Sequence, residues 1–191
     1  MAQRVVTADR QHLVSKRRNT IKSLLAGIAA STIGTQLKPT GRALVLVTSS
    51  GAQPSDAYTD WTFPTRVPSF VAAYYERWLP YSEKDEVFNL ERCYFHLYAL
   101  RGPDRRREEV VALHCDPAPL DVGEMSEYKM ATHLHVKAAR YPIGAAHICL
   151  DIGRFSEVCK SLSGVTAAME RGLKLIEEEI LLHADALQLT A

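Results

Sequence analysis

Five of the seven histidines in this 191-residue chain lie between positions 96 and 147. Imidazole is the side chain that binds first-row metals or moves protons near neutral pH. His133 and His135 stand two apart in the run Thr-His-Leu-His-Val. On an extended chain that spacing places both on one face, with Leu134 and Val136 on the other. Such a pair can share a divalent metal such as Zn or Mn, and a third histidine from a neighbouring strand leaves a coordination position for water. His147 is the expected third ligand. Without a metal, His133, His135, His114 and His96 would act as acid and base on a phosphodiester. As a structural alternative, all of them are hydrogen-bonded packing residues on a half-buried sheet. Composition and spacing leave these possibilities open, and Asp116 and Asp151 lie close enough in sequence to orient or complete a site.

These residues need a sheet to bring them together. Residues 87–100 and 109–115 are rich in Val, Leu, Tyr and Phe, and Arg101-Gly102-Pro103-Asp104-Arg105 joins them as a hairpin turn. With that turn centred near residue 104, His96 and His114 share a face in diagonal contact, whereas a one-residue slip would put them on opposite faces. Pro117 and Pro119 end the hairpin. Residues 130–137 form the next strand, Arg140 to Gly144 turns the chain, and His147 to Ile152 forms a short strand or extended segment.

Upstream, Thr7 or Asp9 caps a helix whose apolar face, Val14, Ile21, Leu25 and Ile28, repeats at helical spacing to about Ser31. Its other face carries Lys16, Arg17, Arg18 and Lys22, a basic cluster that is either a solvated face or a contact for RNA or an acidic partner. The Lys38-Pro39-Thr40-Gly41 stretch turns the chain, and Ala43 to Thr48 is a strand buried on both faces. Residues 49–68 form a long loop in which Trp61 and Phe63 anchor the segment or meet a partner. Ser69 caps a short helix through Phe70, Val71, Tyr74, Tyr75 and Trp78, stopped by Pro80. Near the end, Ser156 caps a helix through Cys159 and Leu162, and Ser163-Gly164 breaks it. Thr166 caps a final helix with an apolar stripe of Val165, Met169, Leu173, Ile176, Ile180 and Leu187.

The pattern predicts a single α+β domain, mainly an antiparallel β-sheet flanked by N-terminal and C-terminal helices. Its parts are an N-terminal helix over 1–34, a sheet core over 43–152 with one inserted helix, and C-terminal helices over 154–191. The net charge of +1 argues against binding nucleic acid through the overall field, though a local basic patch remains open. No apolar run reaches the roughly 20 residues of a membrane span. The first residues lack the apolar core of a secretory signal, which predicts a cytoplasmic protein. Cys93, Cys115, Cys149 and Cys159 form no CxxC pair and are expected as small buried hydrophobes.

Over residues 90–162 the pieces CYFHLYAL, VVALHCDPAP, THLHV and GRFSEVCKSL resemble the TumE-like bacterial toxin-antitoxin family. There a Tyr-rich hairpin, a histidine-rich strand and a closing helix follow in that order. The likeness implies a component of a toxin-antitoxin or antiviral defence module, a hydrolase or RNA-binding protein. The segment Ile148-Cys149-Leu150-Asp151-Ile152 looks like the active-cysteine region of E2 ubiquitin-conjugating enzymes, which would make Cys149 a thioester carrier; the HPN motif and the following tryptophan are absent. A third possibility is a non-catalytic binding or assembly subunit, acting through a protein partner or as a homo-oligomer.

Overall fold

The alternation of buried and half-buried residues along Val87–Arg101 shows how the chain is layered. Phe88, Leu90, Cys93, Phe95, Leu97 and Ala99 are buried in the main core, while Tyr94, His96 and Tyr98 between them are half-buried on the second face. The period of two is that of a strand between two different environments. The computed structural model describes residues 6–50, 61–81, 86–117, 132–136, 146–150, 158 and 160–184. Within them the strands are β1 (Thr7–Asp9), β2 (Gly34–Thr40), β3 (Ala43–Ser49), β4 (Thr62–Pro64), β5 (Phe70–Pro80), β6 (Val87–Arg101), β7 (Arg106–Cys115), β8 (His133–Val136) and β9 (Ala146–Cys149). All join one antiparallel sheet in the order β2-β3-β5-β6-β7-β8-β9, with β1 paired to β6 and β4 to β5. The domain is therefore α+β, as its sequence predicts.

Among the described residues, two longer helical segments cover the core face. α1 runs through Arg10–His12, Leu13–Arg17 and Arg18–Leu24, and the Asp9 carboxylate accepts a 2.7 Å hydrogen bond from the His12 backbone N–H at its start. Ile21, Leu25 and Ile28 are buried as the apolar spacing predicts, whereas Val14 is exposed. α2 runs through Leu162–Ile176 and continues as Glu177–Leu181. Its cap is Ser161, whose hydroxyl accepts from the Gly164 N–H at 3.1 Å, and not Thr166. Ser163 and Gly164 therefore open this helix and do not break one. Val165, Met169, Leu173 and Ile176 are buried along the expected stripe. Gly172 sits where a Cβ would come within 2.6 Å of the Leu113 side chain, so a residue without a side chain lets α2 approach β7. No described helix is long and apolar enough to cross a membrane.

Two segments depart from the sequence expectations. Residues 70–80 form β5 and not an inserted helix. Strand pairing on both sides, to β3 and β6, overrides a spacing of aromatic residues that also fits a helix. The stretch before Ala43 is likewise a strand, β2, with only Gly41 and Arg42 as the turn between the paired residues Thr40 and Ala43. Gly41 takes a φ of 60°, and Pro39 is tolerated because β2 is an edge strand. Of the expected 49–68 loop, residues 51–60 lie outside the described part, while Thr62–Pro64 adds β4 beside β5. The Ser156 cap, Cys159, Asp151 and Leu187 also lie outside it.

The predicted basic cluster is divided by the fold. Arg17 is 1% exposed and points into the core, where its guanidinium binds the fully buried Glu76 through Nε (3.0 and 3.1 Å) and Nη2. Arg18 donates to Thr35, and Lys16 is exposed. Arg17 is thus no part of an RNA-facing surface, because its charge is neutralised inside the domain. Glu76 also accepts from Trp78 Nε1 at 3.0 Å and from the Tyr74 hydroxyl, and Arg17 reaches Thr166 of α2. This network ties α1, β5 and α2 together.

Candidate metal centre

β7 and β8 place the histidines. In the antiparallel register His114 lies opposite His133 and Ala112 opposite His135, so all of these occupy one face, the second face of the sheet. Leu113 and Leu134, paired on the other face, are buried in the core and fix the register, since a one-residue slip would expose them. On the β6 side His114 lies opposite Tyr94 and Ala112 opposite His96, which brings His96 to the same face at a diagonal. Ring centroids of His96 and His114 are 5.3 Å apart.

The ligand nitrogens of His114, His133 and His135 all lie within 4.8 Å of one another. A tetrahedral metal with bonds of about 2.0–2.1 Å needs a nitrogen separation of about 3.3 Å, a difference that small ring rotations close. His133 is buried, and His114 and His135 are half-buried. The His114 and His135 rings are 4.2 Å apart, and His133 and His135 4.9 Å. The Nε2 atom of His114 is buried and has no hydrogen-bond partner among the described residues. A buried polar atom in that state is costly unless something else binds it.

Burial, together with the positive charge that His135, His96 and His133 would each carry when protonated, pushes the His114 imidazole down to about 2. Glu109 acts weakly in the opposite direction. His114 is consequently neutral through the physiological range, the form that binds metals. In the metal-free protein the unfolded chain takes up a proton near pH 6.5 and the folded chain does not, so stability falls as pH drops below that value. The slope is on the order of 1 kcal/mol per pH unit. Thermal melts of the metal-free protein should show a midpoint descending from pH 7 to pH 4, with a visibly flatter dependence in His114→Gln. Identical profiles for the two proteins would refute this.

Aromatic rings and carboxylates hold the cluster in place. Tyr94 stacks on His114 with centroids 3.8 Å apart. Burial and the neighbouring Asp116, which accepts the Tyr94 hydrogen bond, hold that phenol well above its ordinary value. Asp116 therefore acts on the cluster through Tyr94. His96 Nδ1 lies 2.9 Å from Glu109 Oε2, a contact that orients the ring on the border of the cluster.

His147, the third ligand expected from sequence, pairs through its backbone with His135 on the far side of β8, and its side chain is not among those described. Among the described side chains, the third imidazole beside the His133/His135 pair is His114. Cys149 lies opposite His133 in β9, and burial raises its thiol, which favours the protonated form over the nucleophilic thiolate. Cys93 and Cys115 are buried, as expected, whereas Cys149 is only half-buried.

The sequence reading missed Glu109, Tyr94 and a set of cations farther along the same face. Tyr94, His96 and Tyr98 alternate within β6, and that alternation was the available signal. Arg77 was hidden because its strand resembled a helix. Comparison with protein-family models, with curated proteins and with solved structures gives no match for this chain.

Proposed function

We propose that the protein is a metal-dependent hydrolase of phosphodiesters, with His114, His133 and His135 as the ligands of one divalent ion, Zn or Mn. The observation that carries this is the convergence of three imidazole nitrogens from two adjacent strands within 4.8 Å. A neutral His114 with an unpartnered buried Nε2 supports it. Three protein ligands leave the fourth tetrahedral position for water or substrate. A metal held there supplies Lewis acidity and lowers the pKa of its water.

The chain's own residues supply the rest of the chemistry. With its Nδ1–H directed to Glu109, His96 keeps Nε2 as an acceptor and takes the proton of the attacking water as the water oxygen bonds to phosphorus, then gives it to the leaving oxygen as that P–O bond breaks. Asp116 and Tyr94 hold the ring plane of His114. Arg77 and Arg92, beyond Tyr94 on the same face, attract an anionic substrate. The likeness of residues 90–162 to TumE-like toxins points to the same substrate class, RNA.

The test is hydrolysis of a short single-stranded RNA and of bis(p-nitrophenyl) phosphate by protein reconstituted with Zn or Mn. His114→Ala should remove the activity, and His96→Gln should lower it about 10²–10⁴-fold with metal still bound. Equal turnover by chelator-treated protein, or by His114→Ala, would overturn the proposal.

A further inference from the structure

Beside the histidines, the second face of the sheet opens into a cleft of about 570 Å³ whose lining includes Lys38, Val45, Trp61, Tyr75, Arg77 and Arg92. That size falls in the range of about 300–1,000 Å³ typical of small-molecule sites. Its electrostatics are unbalanced. Arg77 and Arg92 both donate to one carboxylate, Glu91, which is 1% exposed, while each arginine side chain remains 34% exposed. Among the described residues, one negative charge shared by two guanidiniums leaves the pair of Arg77 and Arg92 with a net positive charge.

The Nε atom of Arg92 is buried and has no hydrogen-bond partner among the described residues. A buried N–H donor on a side chain that lines a cleft calls for an acceptor. Guanidinium edges pair with phosphate oxygens two at a time, and a buried carboxylate holding both arginines presets their positions. Trp61 and Tyr75 stand with ring centroids 5.8 Å apart, and Tyr75 meets Tyr94 at 5.3 Å. Aromatic faces of this kind stack on nucleobases whatever the base.

Tyr94 joins this cleft to the histidines. The Arg92 guanidinium lies 5.8 Å from the Tyr94 ring centroid, and His114 stacks on the same ring with centroids 3.8 Å apart. We infer that the cleft is a nucleotide subsite, in which Arg77 and Arg92 hold a phosphate and Trp61 with Tyr75 holds the base. The nucleotide is either free or the terminal unit of a strand. The fate of the bound ligand rests on the hydrolase reading, but its binding does not.

The experiment therefore uses chelator-treated, metal-free protein. Calorimetric titrations compare AMP, adenosine, inorganic phosphate, and a trinucleotide with and without a 5′-phosphate. AMP should bind at least about tenfold more tightly than adenosine, equivalent to about 1.4 kcal/mol. Arg92→Gln, which leaves Glu91 paired with Arg77, should weaken AMP by about tenfold or more at an unchanged melting temperature. Trp61→Leu should weaken AMP and leave inorganic phosphate unaffected. A 5′-phosphorylated trinucleotide that binds more tightly than AMP identifies the strand end as the source, and the reverse order identifies the free nucleotide. Equal affinity for adenosine and AMP, or no binding by any of these ligands, overturns the subsite. Metal content and hydrolysis, measured separately, then still decide the histidine site.

Discussion

Arg17→Met is expected to cost about 3–5 kcal/mol of stability, because it leaves the Glu76 carboxylate charged and without its counter-ion in the core. Glu76 is completely buried, and the guanidinium reaches both of its oxygens. Burial alone would lower the basicity of Arg17, yet Glu76 holds it above its ordinary value, so the guanidinium stays charged. The Trp78 N–H and the Tyr74 hydroxyl remain as donors to Glu76 but carry no positive charge. Removing both charges in Arg17→Met/Glu76→Leu should recover part of the loss. Recovery is incomplete because the Trp78 N–H then has no acceptor, while Tyr74 keeps its 2.9 Å contact with Cys93. Urea unfolding followed by circular dichroism measures both effects. A single variant within about 1 kcal/mol of the parent would mean that the network is not the tie between α1, β5 and α2 described above.

The hairpin that supports the site was legible in the sequence, as was the shared face of His96 and His114. Strand alternation of period two and a Gly-Pro turn leave one register that buries the core residues Phe95, Leu97 and Leu113. The face shared by His133 and His135 followed from spacing alone. Other features had no such local signal. Phe70, Tyr74 and Trp78 repeat at a helical interval, and only pairing to β3 and β6 makes them alternate members of a strand. That His114 joins them as a third imidazole depends on β7 lying beside β8, a long-range fact. Arg17 belongs to a basic run in sequence but shares its helix face with Leu13 and Ile21, so the fold turns one charge of the run inward to meet Glu76.

Loss of His133 and His135 together should reduce metal affinity by a factor on the order of 10³ or more, since two of three ligands disappear. The fold should survive this change. Leu134, between the two histidines, packs in the core on the opposite face and keeps β8 in register with β7. Individual substitutions separate the ligand sets. His114→Ala should abolish tight binding, because among the described residues the nitrogens that converge belong to His114, His133 and His135. Loss of metal in His147→Ala with retention in His114→Ala would assign the third ligand to His147 instead.

The most direct measurement is the metal content of the purified, zinc-reconstituted protein and of His133→Ala/His135→Ala, determined by inductively coupled plasma mass spectrometry after exhaustive dialysis. A three-histidine centre predicts about one ion per chain in the parent and less than about one tenth in the variant, with matching circular dichroism spectra. A folded parent that retains no more metal than the variant would contradict the metal centre and leave the histidines as packing residues of the sheet.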